Sequence, residues 1–250
     1  ALELISNIHI KLGRIKELLT YLTQLKGKNP EEESIYLTIS SVYRYAKQTE
    51  KAIEILKEGV ETQPMWTKSY SRLASIYQQE EQNQAAIETY QQALVARPES
   101  NHIKLLLASL HEAEKNFVLA RNLYEEVLLK DFRNDAASNN LANLLLDRFS
   151  SEENTKKALM LTEHFENSDQ PFFKDTYAWA LLKSGDATGA ATLIDEVIDV
   201  APQYAVFHYH KAMIEEKLGN NEEVSKSLKT AWKSLQPGDA ELRDKINDAL

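Results

Sequence analysis

Residues Thr67 to Ser100 read TKSYSRLASIYQQEEQNQAAIETYQQALVARPES. Tyr70, Leu73, Ala74 and Tyr77 fall at i, i+3, i+4 and i+7, and Ala86, Tyr90 and Ala93 at i, i+4 and i+7. Each set therefore lies along one side of an α-helix. Pro98 cannot extend the second helix and biases Arg97 away from the α region, which ends it. The segment is a helical hairpin, and it is thirty-four residues long.

That length recurs. Pro30, Pro64 and Pro98 are 34 apart, as are Gly185 and Gly219. Pro98 to Pro202 is 104, three steps plus two, and Gly13 to Gly185 is 172, five steps plus two. Two residue types thus report one period and one net insertion. Composition agrees, since 7 Gly and 6 Pro in 250 residues are too few to turn the corners of a β-sandwich or barrel.

The hairpin resembles the tetratricopeptide repeat, whose pattern is W-x2-L-G-x2-Y, then A-x3-F, then P. Tyr70 stands for the Trp, Ala74 for the Gly and Tyr90 for the Phe. Copies in phase span about 1–32, 33–66, 67–100, 101–134, 135–170, 171–204 and 205–238. Residues 33–66 carry Tyr36, Ile39, Ser40, Tyr43, Ala52 and Leu56; residues 101–134 keep Leu107, Ala108, Ala120 and Tyr124 with His111 in a tyrosine column. The copy at 135–170 is expected to hold a loop four residues longer, around Arg148 to Thr155. Gly13, Gly185 and Gly219 are expected to end first helices as left-handed caps. A hairpin cannot bury its apolar stripe alone, so the expected fold is all-α, a right-handed solenoid of stacked hairpins. An amphipathic helix over 239–250 is expected to cap it, with Leu242, Ile246 and Leu250 inward and Arg243, Asp244, Lys245 and Asp248 toward water. The front opens directly on Leu2, Leu4, Ile5 and Ile8. We therefore expect the C-terminal part of a longer array, able to self-associate through that uncapped face.

The chain offers little reactive chemistry. Without Cys it has no disulfide, thiolate zinc site or cysteine nucleophile. It lacks the phosphate-loop, dinucleotide, nucleophile-elbow and H-E-x-x-H motifs, so no catalytic residue, cofactor or metal is expected. His208 and His210 stand two apart, whereas metal pairs on one helix face need three or four. A net charge of −9 argues against nucleic acid. No apolar run approaches the roughly 20 residues of a membrane span, so direct insertion is not expected. Residues 135–204 hold 5 basic and 12 acidic side chains against 17 and 18 in residues 1–134, so a partner of the later repeats would favour basic patches.

Binding remains. In this family the face of each first helix left free by packing lines a concave groove, which takes a protein segment or partner domain. The register puts on it Arg44 and Tyr45; Lys68, Arg72 and Ser75; Asn139, Asn140 and Asn143; Asp175, Thr176 and Trp179; and Tyr209, His210 and Met213. Amides can satisfy an extended backbone and aromatics can anchor it. Co-chaperone members clamp a terminal carboxylate, and Asn7, Lys68 and Arg72 match that clamp, but Glu3 and Thr38 replace its first Lys and second Asn. Asn139, Asn140 and Asn143 are similar to one rung of the asparagine ladder in glycosyltransferase-linked members, without the other rungs. Asn140–Leu145 followed by Asp175–Lys183 resembles tetratricopeptide proteins of exopolysaccharide export and PEP-CTERM systems, departing at Ala178 where Gly is usual. That resemblance implies a periplasmic or envelope-associated scaffold. The alternative is the substrate-recruiting arm of a larger transferase.

Overall fold

The computed structural model describes residues 2–250, and among them every regular element is helical. The elements are α1 (Leu2–Lys11), α2 (Ile15–Lys28), α3 (Glu33–Tyr45), α4 (Thr49–Thr62), α5 (Thr67–Gln79), α6 (Asn83–Ala96), α7 (Asn101–Ala113) and α8 (Phe117–Lys130). Then come α9 (Asp135–Asp147), α10 (Glu152–Thr162), a 3-10 turn (Glu163–Phe165), α11 (Pro171–Ser184), α12 (Ala187–Val200), α13 (Ala205–Leu218), α14 (Asn221–Ser234) and α15 (Ala240–Ala249). The chain divides into two compact units, one to Leu123 and one from Tyr124. No helix of the described residues is long and apolar enough to cross a membrane.

In the first unit, fully enclosed alanines let helices approach closely, Ala52 in α4, Ala74 in α5, Ala86 and Ala93 in α6. Around them Tyr36, Ile39, Leu56, Leu73, Tyr90 and Leu107 form one continuous core. Side chains also tie successive hairpins. Glu33 Oε1 accepts from the Ser69 backbone N–H at 2.8 Å and from its hydroxyl at 3.1 Å, so α3 caps the start of α5 in the next hairpin. His111 occupies its tyrosine column buried, with Nδ1 unpartnered, and burial lowers its pKa.

The second unit has a core of Ala190, Ile194, Val197, Phe207 and Ile214, and a smaller cluster of Ala212, Leu228, Ala231 and Ile246. His208 is explained locally: its Nε2 lies 2.8 Å from the Pro202 carbonyl, the tie that the Tyr36 hydroxyl makes to Pro30 at 3.1 Å.

Two expectations need correction. Half of the stretch 148–155 is helix, because α9 stops at Asp147 and α10 starts at Glu152, leaving a gap only one residue longer than the one between α3 and α4. Ser151 caps α10 by accepting from the Asn154 N–H at 3.1 Å, and Glu152 and Glu153 suit its first turn, so these residues wind up rather than loop out. In α15, Ile246 is enclosed and Leu242 partly so, but Leu250 is 63% exposed beyond the last turn. Lys245, expected to point into water, instead bonds Asp147 Oδ2 at 3.2 Å while staying partly exposed.

The left-handed caps form at Gly13, Gly185 and Gly219, with φ of 71°, 103° and 82°. Lys47, Glu81 and Lys115 adopt the same conformation at φ 57–59° without being glycine. At all six places the next residue's N–H bonds a carbonyl five residues back at 2.8–2.9 Å, which closes the helix end.

Candidate interaction grooves

Six first helices, α3 to α13 in alternation, run in one register. Their fifth, sixth and ninth residues line the faces expected to bind, and the two units use these positions differently.

In the first unit they are Leu37, Ser71 and Leu105; Thr38, Arg72 and Leu106; and Ser41, Ser75 and Ser109. The hydroxyls of Thr38, Ser41 and Ser71 donate to carbonyls four residues back in their own helices, at 2.6–2.9 Å. They make no link across hairpins. Lys68 and Arg72 are exposed, with no ion pair or hydrogen bond to other described side chains. Together with Leu37, Ser71, Ser75 and His102 they line a cavity of about 310 Å³. Beside it lies one of about 400 Å³, lined by Glu3, Ser6, Asn7, Ile10, Leu37, Thr38, Ser41, Val42 and Arg72. The Glu3 carboxylate thus shares a cavity with Arg72, which disfavours a terminal carboxylate there. Arg44 is not free: its guanidinium donates to Glu80 at 2.7 Å, to Thr49 at 3.1 Å and to Gln79. Tyr45 beside it is exposed.

In the second unit the same positions are Asn139, Asp175 and Tyr209; Asn140, Thr176 and His210; and Asn143, Trp179 and Met213. These side chains reach across hairpins. The Thr176 hydroxyl lies 2.7 Å from Asn139 Oδ1 and receives Asn143 Nδ2 at 3.0 Å. Asn140 donates to the Tyr124 hydroxyl at 3.3 Å. His210 Nδ1 meets Asp175 Oδ1 at 2.8 Å, and the His210 ring stacks on Trp179 with centroids 4.2 Å apart. Trp179 Nε1 donates to Asp147 Oδ1 at 3.0 Å, and the Lys183 ammonium sits 4.2 Å from the Trp179 ring centre. Asp175, Thr176, Trp179 and His210 are all buried. They hold neighbouring helices together, and they also border cavities, Asp175, Thr176 and His210 one and Trp179 another. Asn139, Asn140, Asn143, Tyr209 and Met213 stay partly exposed at the surface of this network.

Over that surface lies α15. The Lys245 ammonium bonds Asp147 Oδ2 and Glu241 Oε1, each at 3.2 Å, and Arg148 pairs with Glu241. Burial opposes the charge of Asp147, but Lys245, the Trp179 N–H and His210 outweigh it and hold the carboxyl below its ordinary range. Burial opposes that of Glu241 too, yet its bonds to Arg148 and Lys245 lower its pKa. Lys245 is raised for the matching reason, with Asp147 and Glu241 overcoming its desolvation. Two cavities flank the bridge, of about 430 and 700 Å³, and Asp147, Tyr209 and Lys245 line both.

The register did not identify His102, Asp147, Glu241 or Lys245. Asp147 carried a signal: it is an acid at a helix position held by Tyr45, Gln79 and Ala113 in the earlier copies. Among the described residues no group of three or more His, Asp or Glu side chains could hold a metal ion.

A family model described as tetratricopeptide repeat matches residues 71–140 and 178–223, and a second of the same description matches 33–64. No curated protein matches. A tetratricopeptide repeat protein from Parabacteroides merdae superposes with a TM-score of 0.63 at 15% identity, over 99% of this chain and 96% of its own. PilF of Pseudomonas aeruginosa gives 0.65 at 18% identity, over 90% and 100%. YrrB, described as having an unusual peptide-binding site, gives 0.56 at 16%, over 78% and 99%. At these identities the likeness is one of fold.

Proposed function

The chain belongs to the tetratricopeptide repeat family, and from that premise we propose that it is a non-catalytic scaffold whose first unit docks an extended acidic segment of a partner protein. The observation that carries this reading is the pair of exposed cations, Lys68 and Arg72, facing a trough with no partner among the described side chains. Leu37 gives a neighbouring apolar contact, His102 and Ser75 give hydrogen-bonding groups, and a rigid stack presents them without an ordering cost. Glu3 and Thr38 stand where the carboxylate clamp needs a Lys and an Asn, which sets the co-chaperone mode second, and the acidic segment is placed on the Lys68 side of Arg72, away from Glu3. YrrB's peptide-binding site is the precedent in a similar fold. The stretches Asn140–Leu145 and Asp175–Lys183 support a setting in bacterial envelope or exopolysaccharide assembly. The apolar stripe Leu4, Ile8 and Leu12 supports self-association: Ile8 is 49% exposed, whereas its counterparts Val42 and Ile76 are enclosed.

Selection of a random dodecapeptide library on the intact chain tests the docking. Acidic sequences are expected, with binding that weakens as salt rises and is lost in Arg72→Glu. Recovery of the same peptides by wild type and Arg72→Glu would remove the assignment.

A further inference from the structure

The C-terminal helix lies over the side chains of α9, α11 and α13, and its hold is slight. Of its residues only Ile246 is fully enclosed, against Ala212, Leu228 and Ala231. Leu242 is half-covered and the rest of the helix is largely exposed. Its links to α9 are ion pairs open to solvent, Lys245 to Asp147 and Glu241 to Arg148, with 30–54% of each side chain accessible. Pairs of this kind contribute at most about 1 kcal/mol each. Beneath the helix a cavity of about 430 Å³ remains, walled by Phe172, Val206 and Tyr209 on one side and Gly238, Leu242 and Lys245 on the other. A short non-helical segment, 235–239 with Pro237 and Gly238, connects it to α14. Elements with few buried contacts and exposed polar links open well below the global unfolding free energy.

The trough beneath is built to receive a helix. It offers a carboxylate and a guanidinium on adjacent residues, Asp147 and Arg148, beside Phe172, Val206 and Tyr209 and the amides of Asn139 and Asn143. We propose that α15 is a displaceable occupant of this trough, standing in for a partner's amphipathic helix that presents Glu, Leu, Lys and Ile at i, i+1, i+4 and i+5. Those four are Glu241, Leu242, Lys245 and Ile246 in this chain. The acid meets Arg148, the ammonium meets Asp147, and the two aliphatic side chains enter the cleft beside α13, as in helix-in-groove recognition. A partner gains access by competing with α15, so the trough is closed by default and opened by a ligand of matching code.

The test uses a fluorescein-labelled peptide of residues 236–250, titrated into the intact chain and into the chain carrying Glu241→Lys with Lys245→Glu. The two reversals repel Arg148 and Asp147, keep an i,i+4 pair within α15 and leave Ile246 in place. The peptide is expected to bind this variant about tenfold more tightly than wild type, a difference of about 1.4 kcal/mol. A peptide carrying both reversals should bind neither. On the unsubstituted chain, amide exchange over 240–249 should accelerate with added NaCl while α9 and α13 stay protected. Equal affinity for both chains, or exchange indifferent to salt, overturns the proposal. So does dimerisation on sedimentation that the 236–250 peptide reverses, which would give the trough to a second copy; association through Leu4, Ile8 and Leu12 would not respond to that peptide. Arg72→Glu should not alter this peptide's binding, so the outcome is independent of the reading of the first unit.

Discussion

The first helices carry one register through both units, yet the same three positions do opposite things. In the first unit Thr38, Ser41 and Ser71 spend their hydroxyls on their own helices and leave Lys68 and Arg72 facing water. In the second, Asn143, Thr176, Trp179 and His210 span from one hairpin to the next. Side-chain reach explains part of the difference. A Ser or Thr oxygen stays within range of the carbonyl four residues back, as Thr176 does at the Phe172 carbonyl, 2.9 Å away. Thr176 meets its neighbour because the longer Asn139 and Asn143 carboxamides reach to it. One face keeps its cations exposed. The other is spanned by side chains and has a helix laid over it.

The strongest way to break this contrast is Trp179→Ala. It removes a buried indole, its stack on His210 and its bond to Asp147, and the void left by such a truncation costs roughly 3–5 kcal/mol. We expect chemical denaturation to show the second unit destabilised by that order, with acidic-peptide binding at Lys68 and Arg72 retained under native conditions. A loss below about 1 kcal/mol would mean that Trp179 is a surface group, available to ligands after all.

A milder change sharpens the comparison at one column. Thr176→Val keeps the shape but leaves Asn139 Oδ1 and Asn143 Nδ2 without the hydroxyl between them. The expected cost is about 1–2 kcal/mol, because partly buried polar groups lose a partner that water replaces incompletely. The equivalent Thr38→Val in the first unit removes only a bond to the Ser34 carbonyl of the same helix, and should shift stability by less than about 0.5 kcal/mol. Equal effects in urea melts would contradict the assignment of one column to bridging and the other to an open face.

The contrast itself was only half legible in the sequence. Helix positions follow from the 34-residue period because Tyr70, Leu73, Ala74 and Tyr77 can satisfy only a helical stripe, and the starts of α3, α5, α7 and α9 fall at that spacing. Register also places Lys68, Arg72, Trp179 and His210 on corresponding faces of their helices. It cannot say which of them face a solvent channel and which are spanned by the next hairpin, since that depends on distances between helices. Asp175 and Thr176 read as groove polar groups for this reason and are buried bridges. The pairing of Lys245 was hidden because its partner Asp147 lies 98 residues earlier, outside any local pattern.

The smallest expected effect concerns the helix ends, where individual hairpins also differ. Gly13, Gly185 and Gly219 end α1, α11 and α13, whereas Lys47, Glu81 and Lys115 end α3, α5 and α7 in the same left-handed conformation. A side chain there crowds the backbone at a cost of roughly 1–2 kcal/mol, while glycine gives back about 0.4–1 kcal/mol through the freedom of its unfolded state. Lys47→Gly, Glu81→Gly and Lys115→Gly should each stabilise by about 0.5–1 kcal/mol. The sites are 34 residues apart and share no side-chain partner, so the gains should add in the triple variant. Gly219→Lys, the reverse exchange in the second unit, should lose a similar amount. Denaturation midpoints decide the matter: if the triple variant gains nothing while Gly219→Lys loses, then Lys47, Glu81 and Lys115 recover the backbone cost through contacts that glycine lacks, and the difference between the hairpins at their helix ends is one of chemistry rather than strain.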